Sequence, residues 1–119
     1  MSEMQMQVNN PDSAGGGATP ASLMGEFMEG AHPTSGTATV NAARTKLTLD
    51  NFHSESGPIL DFYLATDKGA SDYIDLGELQ GYDGDYQYVL PSNVNYETYK
   101  YLIVWCVEYN INFGYAILE

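Results

Sequence analysis

The run LIVWCV at residues 102–107 is apolar at every position. Side chains alternate between the two faces of a β-strand, so Leu102, Val104 and Cys106 share one face, and Trp105 points to the other. A strand with two apolar faces is covered on both of them. The run therefore predicts a central strand over 101–107 in the interior of a domain.

The residues that follow predict the partner of this strand. The run INFGYAIL at 111–118 alternates in character and comes directly after Asn110, a residue type that suits a tight turn. A strand over 111–118 can pair with the central strand. We expect this hairpin to be the stable centre of the fold.

The rest of the chain from Leu23 onward consists of short apolar runs separated by turn residues. Further strands are predicted over 27–30, 37–40, 45–49, 59–65 and 86–90. Residues 66–86 are predicted to be mainly loop, and 96–99 to form one helical turn at most. About seven or eight short antiparallel strands are typical of an all-β sandwich or flattened barrel, which is the predicted fold class.

Residues 1–22 differ in composition, because they are polar and rich in Gly, Ser and Pro. This composition predicts a disordered or extended N-terminal arm, joined to one β-domain at 23–119. The methionines at its tip, Met1, Met4 and Met6, are a candidate docking segment for a protein partner.

The chain has 119 residues and a net charge of −12, from 16 acidic and 4 basic residues. This balance argues against nucleic-acid binding, because too few cations are present to neutralise a row of phosphates. It also argues against docking by charge on an anionic membrane. No run approaches the roughly 20 apolar residues of a membrane span, and residues 1–5 lack signal-peptide features, so we expect a soluble domain.

Cys106 is the single cysteine of the chain, which excludes an internal disulfide and a CxxC pair. It is a candidate redox thiol, but such a thiol requires solvent access and a positive charge or helix N-terminus beside it. None of the four basic residues is adjacent to it in sequence. The strand pattern also fits a small buried core residue, so both roles stay open.

Several short motifs follow one another after the arm. They are GAHPTSGT at 30–37, LDNF at 49–52, Gly57-Pro58 with Tyr63-Leu64, LGELQG at 76–81, Gly84 with Tyr88 and Leu90-Pro91, VWC at 104–106 and FGYAIL at 113–118. The ordered set resembles the DM-thirteen (DM13) family, often called the electron transfer DM domain. One departure is Ile59, which stands where the family usually carries an acid. If that acid has a role in the family, no residue performs it here or Asp61 performs it instead.

The resemblance implies an accessory electron-transfer domain of extracellular or periplasmic proteins, often beside haem-binding DOMON domains. The hallmark cysteine of the family corresponds to Cys106. It implies a redox-active bare thiol, or a residue that holds a prosthetic group such as haem or a metal. No specific cofactor motif accompanies it, and Cys106 and His32 are the candidate cofactor ligands.

Other side chains are candidate metal ligands. His32 and His53 lie in predicted turns and, with Cys106, are the residue types of a blue-copper site, but the compact spacing of that site is absent. Asp83 and Asp85 are candidate ligands for a hard cation such as calcium, without the spacing of an EF-hand. Loop hydrogen bonding by the histidines and a solvated acidic rim are the simpler alternatives.

The aromatic residues near Cys106 suggest one more hypothesis. Tyr99, Tyr101, Trp105 and Tyr109 surround it in sequence and could relay electrons, although aromatic packing on a sheet explains them equally well.

The sequence does not favour an enzyme, because it has no nucleophile elbow, phosphate-binding loop or recognisable Ser–His–acid order. The alternative to a redox domain is a non-catalytic sandwich for binding or assembly, which meets a partner through the arm or the domain surface and in which Cys106 is structural. A solvent-accessible Cys106 near His32 favours redox or metal chemistry, and a buried Cys106 favours the non-catalytic binding or assembly module.

Overall fold

The computed structural model describes residues 21–119, so the first twenty residues of the predicted arm lie outside it. The described residues form nine strands and no helix, which confirms the all-β class. The strands are β1 Leu23–Glu26, β2 Met28–Glu29, β3 Thr34–Val40, β4 Lys46–Ser54, β5 Leu60–Ala65, β6 Tyr73–Glu78, β7 Asp83–Val89, β8 Tyr101–Cys106 and β9 Ile111–Ile117. Within this range no helix is long and apolar enough to cross a membrane.

The strands form two antiparallel sheets that pack as a sandwich. The four-stranded sheet has the order β1-β3-β4-β7, and the five-stranded sheet has the order β2-β9-β8-β5-β6. Strand β8 therefore lies in the middle of the five-stranded sheet, as its two apolar faces predict. The β8–β9 hairpin is also confirmed: Asn110 has a positive φ of 59° and donates its backbone N–H to the carbonyl of Cys106 at 2.7 Å.

The two sheets meet along one side of the sandwich, where the chain crosses from β1 to β2 at Phe27. Phe27 is itself buried between the sheets. Backbone hydrogen bonds between Met24 and Glu119, at 3.2 and 3.0 Å, join β1 to the end of the chain beyond β9. These bonds connect the edges of the two sheets, which fixes how the sheets face each other.

The main core lies between the sheets and contains a row of aromatic rings. Phe52 of the four-stranded sheet lies 5.1 Å from Phe27 and 5.6 Å from Phe62 of the five-stranded sheet, between ring centroids. Phe62 in turn meets Tyr88 at 5.1 Å in an edge-on arrangement. Contacts of this kind bury large apolar areas and add aromatic interactions, so they hold the two layers together.

Some predicted boundaries are wrong. The strand predicted over 27–30 is shorter than expected. It corresponds to β2, Met28–Glu29, and Phe27 lies between β1 and β2 rather than within a strand. The strand predicted over 37–40 begins earlier, because β3 starts at Thr34 and continues through a bulge between Ser35 and Thr37. The four-residue run 96–99 forms a hydrogen-bonded turn, with the N–H of Tyr99 donating to the carbonyl of Asn95 at 2.8 Å.

The loop predicted over 66–86 contains a whole strand, β6, and the beginning of β7. Strand β6 lies at the edge of its sheet, pairs only with β5 and has a bulge opposite Phe62 and Tyr63. Edge strands are more polar than central ones, and bulges interrupt their alternation, so their sequence signal is weak.

Candidate functional site

Cys106 is the last residue of β8 and faces the main core. Its exposed fraction is 0%, and its cross-strand neighbours are Leu60 on β5 and Ile111 on β9. The cluster that surrounds it consists of apolar and aromatic side chains. The alternation of β8 thus places the sulfur atom in the interior, away from solvent.

His32 lies in the connection between β2 and β3. Its ring packs on Phe113 at 4.1 Å between centroids, and its backbone N–H donates to the carbonyl of Phe113 at 3.1 Å. Its own carbonyl accepts a hydrogen bond from the Thr34 hydroxyl at 3.2 Å. These contacts attach the connection to β9, which is a structural role for His32.

The acidic pair Asp83 and Asp85 lies on β7, at the edge of the four-stranded sheet. Asp85 accepts a hydrogen bond from the backbone N–H of Asn51 at 2.8 Å, and Asn51 occupies a bulge of β4 with a φ of 52°. Asp83 lies 3.7 Å from the imidazole of His53. Asp85 thus supports the bulge, and a cation-binding role for the pair remains a prediction.

A haem or metal held by Cys106 does not fit the residues present. The thiol is fully buried in the core, and within residues 21–119 no group of three or more His, Cys, Asp and Glu side chains could hold a metal ion. The ligand roles predicted for Cys106 and His32 therefore have no assembled site among the described residues.

The outer face of the five-stranded sheet carries a second cluster, built around three aromatic rings. Tyr63 of β5 stacks on Tyr73 of β6, with centroids 4.1 Å apart and planes at 9°. Tyr63 also stacks on Trp105 of β8 at 5.7 Å and 17°. The three side chains form a stack, Tyr73–Tyr63–Trp105, that runs from the edge of the sheet to its middle.

A loop over 66–72, which joins β5 to β6, covers part of this face. The carboxylate of Asp67 accepts hydrogen bonds from the N–H groups of Gly69 at 3.0 Å and Ser71 at 3.1 Å. Bonds from the Ser71 side chain and from the loop backbone keep the pKa of Asp67 below its usual range. The side-chain amide of Asn112 on β9 donates to the carbonyl of Lys68 at 3.0 Å, so the loop extends across β8 and is held on its far side.

Burial and hydrogen bonding differ along the stack. Tyr63 and Trp105 are only 6% and 8% exposed, whereas Tyr73 is 48% exposed. Burial, the hydrogen bond with Tyr73 and the nearby charges of Tyr73, Asp75 and Asp61 raise the pKa of Tyr63 to about 12. Its phenol is therefore protonated throughout the physiological pH range.

Three carboxylates lie beside the stack on the same face. Burial, the hydrogen bond and charge of Asp75, and the charge of Glu78 together raise the pKa of Asp61 to about 6. Asp75 and Glu78 lie on β6, where they pair with Tyr63 and Asp61 respectively. The Asp61–Asp75 pair can therefore share a proton next to the Tyr63 ring.

The residues of the electron relay predicted from sequence do not all lie together in the structure. Trp105 belongs to the stack, but Tyr109 is exposed in the β8–β9 turn and Tyr99 donates its hydroxyl to Asp72 at 2.7 Å. Sequence reasoning missed Tyr63 and Tyr73. The alternation of 59–65 places Tyr63 on the face opposite the core, but nothing local indicates which strand lies beside it.

The raised pKa of Asp61 leads to a prediction about stability. Its folded-state pKa, about 6, lies above the ordinary value of 3.8, so protonation favours the native state, and this contribution is lost as pH rises through about 6. We expect Asp61→Asn, which keeps a hydrogen-bonding partner for Asp75, to raise the free energy of unfolding by about 1 kcal/mol near pH 7, after allowance for solvent screening. Near pH 4 the gain should vanish.

Urea denaturation at both pH values measures this difference. Glu108→Gln is the matched control, because it removes the same charge from an exposed position in the β8–β9 turn. A gain from Asp61→Asn no larger than that from Glu108→Gln near neutral pH would contradict the assignment.

Comparison with known proteins supports the family resemblance. The family model described as Electron transfer DM13 matches residues 26–118, which include β2 to β9, Cys106 and the aromatic stack. No curated protein and no solved structure matches the chain. The chain belongs to the electron transfer DM13 family, a class of redox-related domains.

Proposed function

We propose that this domain transfers single electrons through the Tyr73–Tyr63–Trp105 stack and that Cys106 is a core residue. The observation that carries the proposal is the stack itself, in which an exposed ring at the sheet edge is joined by two stacking contacts to a nearly buried indole. Membership of an electron-transfer family supports the same reading.

The chemistry follows from the side chains. Indole and phenol groups lose one electron more readily than most other side chains, and a redox partner of sufficient oxidising power can take that electron from Trp105. The resulting indole radical cation loses its N–H proton to water. Tyr63 then gives one electron to the Trp105 radical, which takes a proton from water to become indole again, and the phenolic proton of Tyr63 moves to a base.

The carboxylates beside Tyr63 can supply that base. Asp75 pairs with Tyr63 across β5 and β6, and Asp61 lies two residues before Tyr63 on the same face of β5. A phenol with a pKa of about 12 does not ionise first near neutral pH, so its proton leaves with the electron or after it. Rapid oxidation of Tyr63 therefore depends on a nearby acceptor.

The environment of Cys106 disfavours such a step. One-electron oxidation of a thiol also releases a proton, and the sulfur lies at 0% exposure in an apolar cluster. A free charge in such surroundings is unfavourable. We therefore assign Cys106 to packing between β5 and β9.

Pulse radiolysis with azide radicals, which oxidise tryptophan selectively, tests the proposal. The chain has a single tryptophan, so the indolyl absorbance reports Trp105 alone. We expect it to decay into tyrosyl absorbance at a rate independent of protein concentration, and Tyr63→Phe to slow this step about tenfold or more. Tyr82→Phe, which alters a 39% exposed tyrosine outside the stack, is the control. Equal rates in both variants would refute the relay.

A second candidate function is a non-catalytic module for binding or assembly. The sealed thiol favours it, as do the exposed Met24 and Met28, at 53% and 43%, which line a groove beside β1 and β2. A partner that binds this groove would be released by Met24→Ser with Met28→Ser, whereas the electron-transfer rate above would not change.

A further inference from the structure

A cleft lies on the outer face of the five-stranded sheet, beside the aromatic stack. Its volume is about 500 Å³, and its lining includes all three rings of the stack, Tyr63, Tyr73 and Trp105. Small-molecule sites commonly have volumes of about 300–1,000 Å³ and aromatic walls with a few polar groups. The cleft is therefore large enough for a small organic molecule.

The polar part of the lining comes from two segments that face each other. Lys68 and Gly69 belong to the loop over 66–72, and Asn110 and Asn112 belong to the β8–β9 turn and the start of β9. The hydrogen bond from Asn112 to Lys68 holds these segments together. The cleft is thus bounded by a fixed loop and a strand of the sheet.

We propose that this cleft binds an uncharged planar aromatic molecule that carries a hydroxyl group, such as a phenol. Aromatic walls favour a flat ring, because offset-stacked and edge-to-face contacts are worth about 0.5–1.5 kcal/mol beyond area burial. The tyrosine hydroxyls and asparagine amides of the lining can exchange hydrogen bonds with a ligand hydroxyl.

The surrounding charges select a neutral ligand. Lys68 lines the cleft, and its ammonium lies 5.2 Å from the centre of the Tyr115 ring, so the positive charge on this side disfavours a cation. Asp61 and Asp75 lie beside Tyr63, and the whole chain carries −12, so an anion is also disfavoured.

Binding in this cleft goes beyond the proposed electron transfer and does not depend on it. A phenol can bind without oxidation, and the stack can pass electrons while the cleft is empty. The two proposals are separated by measuring binding under reducing conditions, with no oxidant present.

Titration with p-cresol, followed through the indole N–H resonance of Trp105, tests the inference. The single tryptophan gives one such signal. We expect a saturable shift with a Kd of about 1 mM or tighter. Three probes of similar size should bind about fivefold more weakly or worse: p-toluate as an anion, benzylammonium as a cation and 4-methylcyclohexanol as a non-planar alcohol.

Two variants locate the binding site. Tyr73→Ala removes an exposed wall and should weaken p-cresol binding about three- to tenfold, whereas Tyr82→Ala should not change it. Gly69→Leu adds bulk to the lining, where an added Cβ meets only Asp67 at 3.6 Å, and should also weaken binding. Absence of saturation, equal binding of 4-methylcyclohexanol, or equal affinities in the Tyr73 and Tyr82 variants would overturn the inference.

Discussion

Replacing Phe62 by alanine is expected to lower the free energy of unfolding by about 4 kcal/mol. The side chain is fully buried on β5, between β8 and β6 in the five-stranded sheet. Its ring lies 5.6 Å from Phe52, 6.2 Å from Phe27 and 5.1 Å from Tyr88, between centroids. Truncation leaves a cavity bordered by both sheets, and rings held in paired strands cannot easily collapse into it.

Denaturant unfolding followed by Trp105 fluorescence measures this loss. Domains of this kind are stable by only about 5–15 kcal/mol, so the variant should unfold at a much lower denaturant concentration. Tyr109→Ala is the matched control, because that ring is 64% exposed, and its loss should cost about 0.5 kcal/mol or less. A loss below about 1 kcal/mol for Phe62→Ala would show that the sheets do not depend on this row of rings.

The second large effect is expected at Gly114, where Gly114→Ala should cost about 3 kcal/mol. The side chain of Thr34, at the start of β3, lies directly against the Cα of Gly114 on β9, and a Cβ there would overlap its hydroxyl and Cβ atoms. Thr34 is buried and shares its hydroxyl proton between the carbonyls of His32 at 3.2 Å and Phe113 at 3.3 Å. To accommodate a methyl group, β3 and β9 would have to separate and break this contact between the sheets.

Gly69→Ala is the control for this prediction, because an added Cβ meets only Asp67 at 3.6 Å. Thermal unfolding of the two variants should differ in Tm by about 10 °C or more for a domain of this size. Similar Tm values would mean that the contact between Thr34 and Gly114 is not a constraint on the fold.

The centre of the fold could be predicted from sequence because its signals are local. The two apolar faces of 102–107 predict a central strand, and Asn110 predicts the turn to β9. Alternation alone places Cys106 on one face of β8 and Trp105 on the other. The structure confirms each of these expectations.

Other features were missed because they depend on contacts between distant residues. Strand β6 has one neighbour and a bulge, so its alternation is weak. The apolar character of Phe27 predicts a strand, whereas Phe27 lies where the chain changes sheet. The aromatic stack could not be predicted for the same reason. The strand order β8-β5-β6 brings Trp105, Tyr63 and Tyr73 together, and the sequence of a single segment does not reveal strand order.

Two residues that are adjacent in sequence lie in different environments. Trp105 and Cys106 point to opposite faces of β8, one toward an aromatic stack and a cleft, the other into hydrocarbon. A redox role for this chain therefore does not require a reachable thiol. The proposed function requires an ordered path from the surface, and we propose that the stack is this path.

The rate of intramolecular electron transfer to the Trp105 radical in Cys106→Ala tests this claim most directly. We expect the rate to match the wild-type rate within about twofold, although the variant should be less stable by about 1–2 kcal/mol because of the cavity it creates. A tenfold or greater loss of rate in Cys106→Ala, with Tyr63→Phe unaffected, would contradict the account and assign the redox role to the thiol.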